Sequence, residues 1–322
     1  MSPARIGYWV IALAKNLVSV RGGTAFLSAF GALWLIVEIA NYYELFATQR
    51  LQALWPLFLC LGIALAVWSC RPATSVKCHL AGRDVAIEIL VGDFFRQPGD
   101  FVVGTNTTFD TRIAPNLISE QSLQGQFTRR YYPSDCEFDA AIEHALSGIP
   151  FDQLIGSRIG KSRDFPIGTT VRVGVREGKA ARSAYLVAMA RINEHGSAKT
   201  TSEDLREAMG CLWAYISERA TKGALVVPVL GSRFGRLPQR EEIVQEMIKS
   251  FVAACAEGNF CEKLTIALHP QDVVDNNIDL QALGDYLRHT CKYALKAPHA
   301  SQSFGTPVGN TSEAVTTRSL AK

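Results

Sequence analysis

The sequence predicts an α/β domain of roughly two hundred residues, built on a mixed, mostly parallel sheet sandwiched by helices and preceded by a two-helix transmembrane hairpin. Two observations carry this. The chain is 48% hydrophobic, with a mean hydropathy of +0.09, and the excess sits before Arg71, in the apolar stretches Gly22 to Tyr43 and Leu51 to Cys70. From Arg71 onward, short β-branched runs alternate with amphipathic helical patterns, which implies parallel strands with helices on both faces. The boundaries expected are an interfacial segment over 1–21, the hairpin over 22–71, a ligand-binding domain over 72–295 and a disordered tail over 296–322, where Ser, Thr, Asn and Gly dominate.

The first segment, Ile6 to Ala14 after Arg5, has some features of a signal peptide, but two full spans follow at once and it is short for that role. An interfacial lead-in is expected instead, with Tyr8 and Trp9 at the headgroup level. Each apolar stretch that follows is about as long as a bilayer-spanning helix. Arg5, Lys15 and Arg21 precede the first and Arg71, Lys77 and Arg83 follow the second, against Arg50 between them, so both termini should be cytoplasmic. Glu38 lies inside the first span, where a carboxylate needs a partner, a proton or water, or must snorkel to the interface with Asn41 and Glu44. Gly22, Gly23, Ser28 and Gly31 allow close helix approach.

In the domain, Val85 to Val91 and Asp100 to Val103 read as strands bounded by Gly and Pro. Ser134 with Glu137 three residues later opens a helix to about Leu146. Thr169 to Val175 and Ser183 to Ile192 are further strands. A strong amphipathic helix runs from Ser202, with Leu205, Met209, Leu212, Trp213 and Ile216 inward and Gly223 as its stop. Then follow a strand from Ala224 to Leu230, a helix from Gln239 to Ala256, a strand from Leu264 to Leu268 and a capped helix from Asp279 to Tyr293. Pro72 to Arg83 reads as a short linker.

A net charge of +3, from 33 Lys and Arg against 30 Asp and Glu, argues against nucleic-acid binding, which needs a concentrated basic face. The 8 cysteines form no C-x-x-C pair and have no His at zinc-ligand spacing, so no metal or cofactor is expected and they read as reduced, buried thiols. Gly156 to Ser162 ends Gly160-Lys161-Ser162 but has three residues between its glycines where a P-loop needs four, and no helix follows. Asn106-Thr107-Thr108 has glycosylation spacing, which a cytoplasmic domain does not use.

Ligands of such sheets sit at the carboxyl ends of the strands. Three loops qualify: Gly92, Asp93 and Phe94 after Val91; Gly104, Thr105 and Asn106 after Val103; and Gly231, Ser232, Arg233, Phe234, Gly235 and Arg236 after Leu230. The last suits a diphosphate cradle with two added arginines. With Ile118 to Phe127, these segments resemble the macro domain fold, and in particular the macro domains that follow two transmembrane helices in the membrane-anchored effectors of type II Thoeris anti-phage defence systems. The resemblance covers residues 20 to about 295.

The resemblance implies an ADP-ribose-binding domain. Asp93 would accept a hydrogen bond from the adenine amino group, with Phe94 beside it, and Asn106 would lie near the distal ribose. Ser122, Leu123, Gln124, Gly125, Gln126 and the 231–236 loop would enclose the diphosphate. Macro domains usually have a triple glycine in the first loop and an asparagine one position beyond Asn106. Here Ser122-Leu123-Gln124-Gly125 and Thr107 stand there, and Arg233 replaces a usual glycine, which points to binding without turnover. The resemblance further implies a multi-pass protein of the bacterial inner membrane. Its signal would be an ADP-ribose derivative, histidine-ADP-ribose in the resembled systems, made by a TIR-domain partner that consumes NAD. Homo-oligomerisation, membrane disruption and abortive infection would follow. The alternative is a membrane-bound hydrolase of ADP-ribosyl or nucleotide substrates.

Overall fold

The computed structural model describes residues 3–43, 55–114, 117–132, 134–154, 160–177, 180–192, 198–219, 223–230 and 240–293. The chain opens with three helices, α1 (Pro3–Val18), α2 (Val20–Tyr42) and α3 (Trp55–Ser69). The globular part follows as β1 (Ser75–His79), β2 (Ala86–Val91), a 3-10 turn (Phe94–Arg96), β3 (Asp100–Asn106), α4 (Leu123–Tyr131) and α5 (Asp135–Ala145). A two-residue ladder, β4 (Asp152–Gln153) with β5 (Arg163–Asp164), precedes β6 (Thr170–Glu177), β7 (Ala180–Ile192) and β8 (Ala198–Lys199). The chain continues through α6 (Ser202–Arg219), β9 (Ala224–Pro228), α7 (Arg240–Glu257), β10 (Lys263–Leu268), α8 (Pro270–Asp275) and α9 (Leu280–Tyr293). The expected tail, 296–322, lies outside the described residues.

The main sheet has the order β1-β2-β10-β9-β3-β7-β6. Its five middle strands are parallel, while β1 pairs antiparallel with β2 and β6 antiparallel with β7. Alternation along each strand feeds two cores, as a period of two requires. Val102 of β3 and Tyr185, Val187 and Met189 of β7 enter the core covered by α6, α7 and α9; Phe101, Val103, Ala184, Leu186 and Ala188 enter the one covered by α4 and α5. Both layers are close-packed. Leu205, Met209, Leu212, Trp213 and Ile216 face inward from α6 as expected, and the Trp213 indole N–H donates to Ser250 Oγ at 2.7 Å. The second layer is aromatic, with Phe94 and Phe95 ringed around Phe101 at 5.0 and 6.0 Å.

The structure adds elements to those read from the sequence, among them β1, α4 and α8. The expected linker contains β1, whose register runs from Ser75 opposite Leu90 to His79 opposite Ala86, so only residues 70–74 separate α3 from the sheet. The expected loop Ser122–Phe127 is the start of α4. Ser122 caps it, its Oγ accepting from the Gly125 N–H at 3.0 Å, and a Cβ on Gly125 would fall 2.3 Å from Ser119 O. Ser134 stands at the start of α5 but makes no side-chain cap. The short α8 was not visible because its six residues carry no periodic pattern.

The N-terminal region behaves differently. α2 and α3 pack side by side, Gly62 admitting Phe30 and Leu33 at 3.3 and 3.5 Å from where its Cβ would lie. Residues Gly22–Tyr42 are long and apolar enough to cross a membrane, with a mean hydropathy of 1.7 and only 6% of that stretch buried. The described part of the second run, Pro56–Ser69, is shorter, and 44–54 lie outside the described residues. Glu38 is on the exposed face of α2. Tyr8, expected at a headgroup level, is instead 6% exposed and turned into the globular core, its hydroxyl donating to Ala73 O at 3.0 Å.

Candidate functional site at the carboxyl ends of the strands

Strands β2, β10 and β9 end nearly level at Val91, Leu268 and Pro228; on β3 the register brings Val103 level with Pro228, and the strand runs on past that rim to Asn106. Three strand spacings separate β2 from β3, about 14 Å across the sheet. The rim opened between them is where an open parallel sheet presents its loops.

At one end, Gly92 is fixed to the neighbouring strand by its N–H, which donates to Leu268 O at 2.9 Å. Asp93 follows as the cap of the 3-10 turn. Its Oδ1 accepts the Phe95 N–H at 3.0 Å, and its Oδ2 lies 3.4 Å from Arg96 Nε. The side chain remains 46% exposed, so the carboxylate is oriented yet open to a further donor. Phe94 is held differently. It is 5% exposed and sunk in the aromatic core beside Phe101, so it anchors the Asp93 turn from below.

At the other end, Asn106 is spent within its own loop. Its Nδ2 donates to Asp110 Oδ2 at 2.9 Å and its Oδ1 accepts the Asp110 N–H at 3.0 Å. Asp110, 2% exposed, is the hub of this corner. Its carboxylate also accepts from Thr108 Oγ1 and from the Lys161 N–H, both at 2.8 Å, and its carbonyl accepts from Gln124 Nε2 at 2.8 Å. Asp110 thereby ties its own loop and the Lys161 segment through its carboxylate, and α4 through its carbonyl. Between Asn106 and Asp110, Phe109 takes φ +48 while fully buried against Phe165, an uncommon conformation for a bulky residue. Sequence reading missed Asp110 because Asn106-Thr107-Thr108 was weighed as a sequon; the run of small polar residues leaving a strand was the available signal.

Of the remaining expected site residues, Ser122, Gln124 and Gly125 are brought to this corner through Gln124 and the α4 cap. Leu123 packs partly buried on the aromatic core. Gln126 points outward, its Nε2 donating to Gln121 O at 3.0 Å. It lines an open groove of about 690 Å³ with Glu120, Gln121, Arg129 and Arg130. Arg129 pairs with Glu120, and Arg130 lies 5.4 Å over the Phe95 ring, two residues from Asp93. Gly231, Ser232, Arg233, Phe234, Gly235 and Arg236 lie outside the described residues.

Lys161, weighed as a phosphate-binding lysine, is committed to Asp139 at 2.7 Å and Glu143 at 3.2 Å. Among the described residues no three His, Cys, Asp or Glu side chains are grouped to hold a metal ion. All 8 cysteines are free, with Cys60, Cys136 and Cys211 exposed rather than buried.

Residues 87–269 match the family described as Thoeris protein ThsA, Macro domain. A curated relative, Thoeris protein ThsA of Bacillus amyloliquefaciens (strain Y2), is 23% identical over 206 residues, covering 62% of this chain and 66% of its own length, just under two thirds. Among solved structures, the Oceanobacillus iheyensis macrodomain with ADP is 12% identical, with a TM-score of 0.46, over 70% of this chain and 99% of that one. A mutant of the same macrodomain with ADPR is 12% identical, with a TM-score of 0.44, over 69% and 99%. The matched span runs from β2 to the residue after β10 and so contains the whole rim, and the chain belongs to the Thoeris ThsA macro-domain family.

Proposed function

We propose that this protein is a membrane-anchored effector of anti-phage defence whose macro domain binds an ADP-ribose derivative as a signal. The observation that carries the reading is the exposed, pre-oriented Asp93 carboxylate at one end of the rim, three strands, about 14 Å across the sheet, from the strand that carries the tied loops at the other. Such spacing suits a two-ended ligand, with the adenine amino group donating to Asp93 and the ribose-diphosphate portion running toward α4 and the 231–236 loop. The signal is expected to be histidine-ADP-ribose, produced by a TIR-domain partner that consumes NAD. The domain binds it without turnover. Asn106, Asp110 and Lys161 are all engaged within the protein, which supports a rigid receptor.

The anchor is the α2–α3 pair, both of whose ends at the domain side are cytoplasmic in this reading, in a bacterial inner membrane. Ligand can drive assembly only as far as it binds the assembled form more tightly. Once copies gather, Glu38 on the open face of α2 would meet partners inside the bilayer, favouring association or admitting water, and membrane disruption would end in abortive infection.

Calorimetric titration of the detergent-solubilised full chain with ADP-ribose and histidine-ADP-ribose tests the ligand. Binding of neither sinks the reading, and steady multiple turnover replaces it with the hydrolase. A reporter fused after Lys322 tests orientation, since activity in the periplasm would reverse the topology.

A further inference from the structure

Helix α1 has two faces, and among the described residues the globular domain occupies only one. Tyr8, Ala12 and Asn16 lie on the inner face. Tyr8 is in the core, Ala12 packs against it, and the Asn16 Nδ2 donates to Cys70 O at 3.1 Å. Lys15 Nζ donates to Asn277 Oδ1, just beyond α8. On the opposite face Ile6, Val10, Ile11, Leu17 and Val18 are 50%, 55%, 41%, 36% and 89% exposed. At helical spacing these residues form one apolar stripe.

Where α1 ends decides what covers that stripe. Ser19 alone separates it from α2, and its extended backbone (φ −78, ψ 167) breaks the helix there. The elbow is tight, because a Cβ on Gly22 would fall 2.1 Å from Leu17 O. α1 is therefore no continuation of the apolar helix but a separate arm at its mouth, carrying Arg5 and Lys15. An apolar stripe with basic neighbours, at the entry of a span, fits the headgroup–acyl boundary.

We propose that α1 lies in the plane of the membrane surface, its Ile6–Val10–Ile11–Leu17 face in lipid and its Tyr8–Ala12–Asn16 face on the domain, so that it seats the cleft-bearing domain on the bilayer. This rests on the anchored reading above and adds its regulation. α1 lies across α8, which begins two residues after Leu268, the same residue whose carbonyl holds Gly92 beside Asp93. A shift of the rim on binding thus has a continuous packed path to α8, α1 and the base of α2.

The test uses the full chain with Cys60, Cys78, Cys136 and Cys211 changed to Ser, reconstituted in vesicles of phosphatidylcholine and phosphatidylglycerol. One fluorophore is placed by Val10→Cys or by Leu35→Cys, both exposed positions, and nitroxide lipids labelled near the headgroup or near the acyl end act as quenchers. The expected result is loss of Val10 fluorescence chiefly to the shallow nitroxide and of Leu35 fluorescence chiefly to the deep one. A Leu35 probe quenched while Val10 is untouched overturns the proposal and assigns the stripe to another protein surface. Val10 quenched by the deep label overturns it in favour of a third span. If neither is quenched, the anchored reading fails, and this proposal with it.

Discussion

The same two residue types, side by side, meet opposite fates in two helices of this chain. On α6, Leu212 and Trp213 are 0% and 1% exposed; on α2, Trp34 and Leu35 are 66% and 60% exposed. What differs is the rest of each helix. α6 has a charged face, with Glu203, Arg206, Glu207 and Glu218, and so can turn one side to water and the other to the sheet. α2 has no such face between Arg21 and Glu38 and cannot hide its apolar side chains by rotating. Apolar surface left in water costs about 25 cal/mol per Å², and among the described residues nothing covers the exposed side of α2; in the anchored reading proposed above, lipid does. Composition identifies both helices as hydrophobic; only the polar face separates the core helix α6 from α2, which is long and apolar enough to cross a membrane.

The sharpest way to break this comparison is to remove each tryptophan. Trp213→Ala should cost the domain about 3 to 5 kcal/mol in urea denaturation, whereas Trp34→Ala should leave the same transition unmoved. An equal loss from Trp34→Ala would mean that α2 is packed inside the folded unit. A second contrast separates recognition from anchoring. Asp93→Ala should lower affinity for the ADP-ribose ligand by about 1.5 to 3 kcal/mol in a domain that remains folded, read by titration. Glu38→Leu should leave that affinity unchanged while reducing toxicity in cells; weaker binding in that variant would show the two regions to be one site.

A smaller effect is expected at the start of α6. Burial disfavours charge on Asp204, but the Thr201 hydroxyl and N–H, at 2.7 and 3.0 Å, and Arg191 outweigh it and hold the carboxyl below its ordinary value. Thr201 Oγ1 in turn accepts the Asp204 N–H at 3.1 Å, a reciprocal cap. Asp204→Ala should cost about 1 kcal/mol at neutral pH. Because the folded carboxyl is the more acidic one, its contribution is complete above the unfolded value of about 4 and is lost as the pH falls through the folded value. The gap between wild type and variant should therefore close on acidification, and a gap that widens would contradict the assignment.

The least perturbing test uses the native thiols. Cys136 should react with a water-soluble maleimide in vesicles. Cys255 and Cys291, whose thiols burial pushes up to about 12, should react only after unfolding. Cys60, exposed on α3, should be shielded by lipid and become reactive in denaturant. Labelling of Cys60 in intact vesicles would place α3 in water.

Long periodic elements were legible because a single burial rule generated them. β2, α6, α7 and β10 are apolar on the faces they bury, and their ends agree with the sequence pattern to within a residue or two. The misses have separate causes. α4 opens with Ser122-Leu123-Gln124-Gly125, a composition that reads as loop; its first turn is fixed by the Ser122 cap and the close approach of Ser119 O to Gly125. β1 alternates between exposed and half-buried positions, so it offers no apolar run. At the rim, Asp93 could be read because a glycine-aspartate pair follows a buried strand. Asp110 could not, since its importance comes from Gln124 of α4 and Lys161 converging on it from elsewhere in the chain.

The five residues between α3 and β1 leave the domain almost no slack. Cys70 O is held by Asn16, Arg71 stacks 3.6 Å over the Trp68 ring, and the Thr74 carbonyl already accepts the Val91 N–H at 2.8 Å. For a chain anchored in a bilayer, this stiffness changes the statistics of encounter. Copies on a loose tether would tumble and meet in every orientation, whereas copies on a stiff one diffuse in two dimensions with only rotation about the membrane normal left to match. Much of the orientational entropy that association normally costs is then already lost before two copies touch, so a modest ligand-induced change at the rim could suffice to tip a dilute surface into an assembled one.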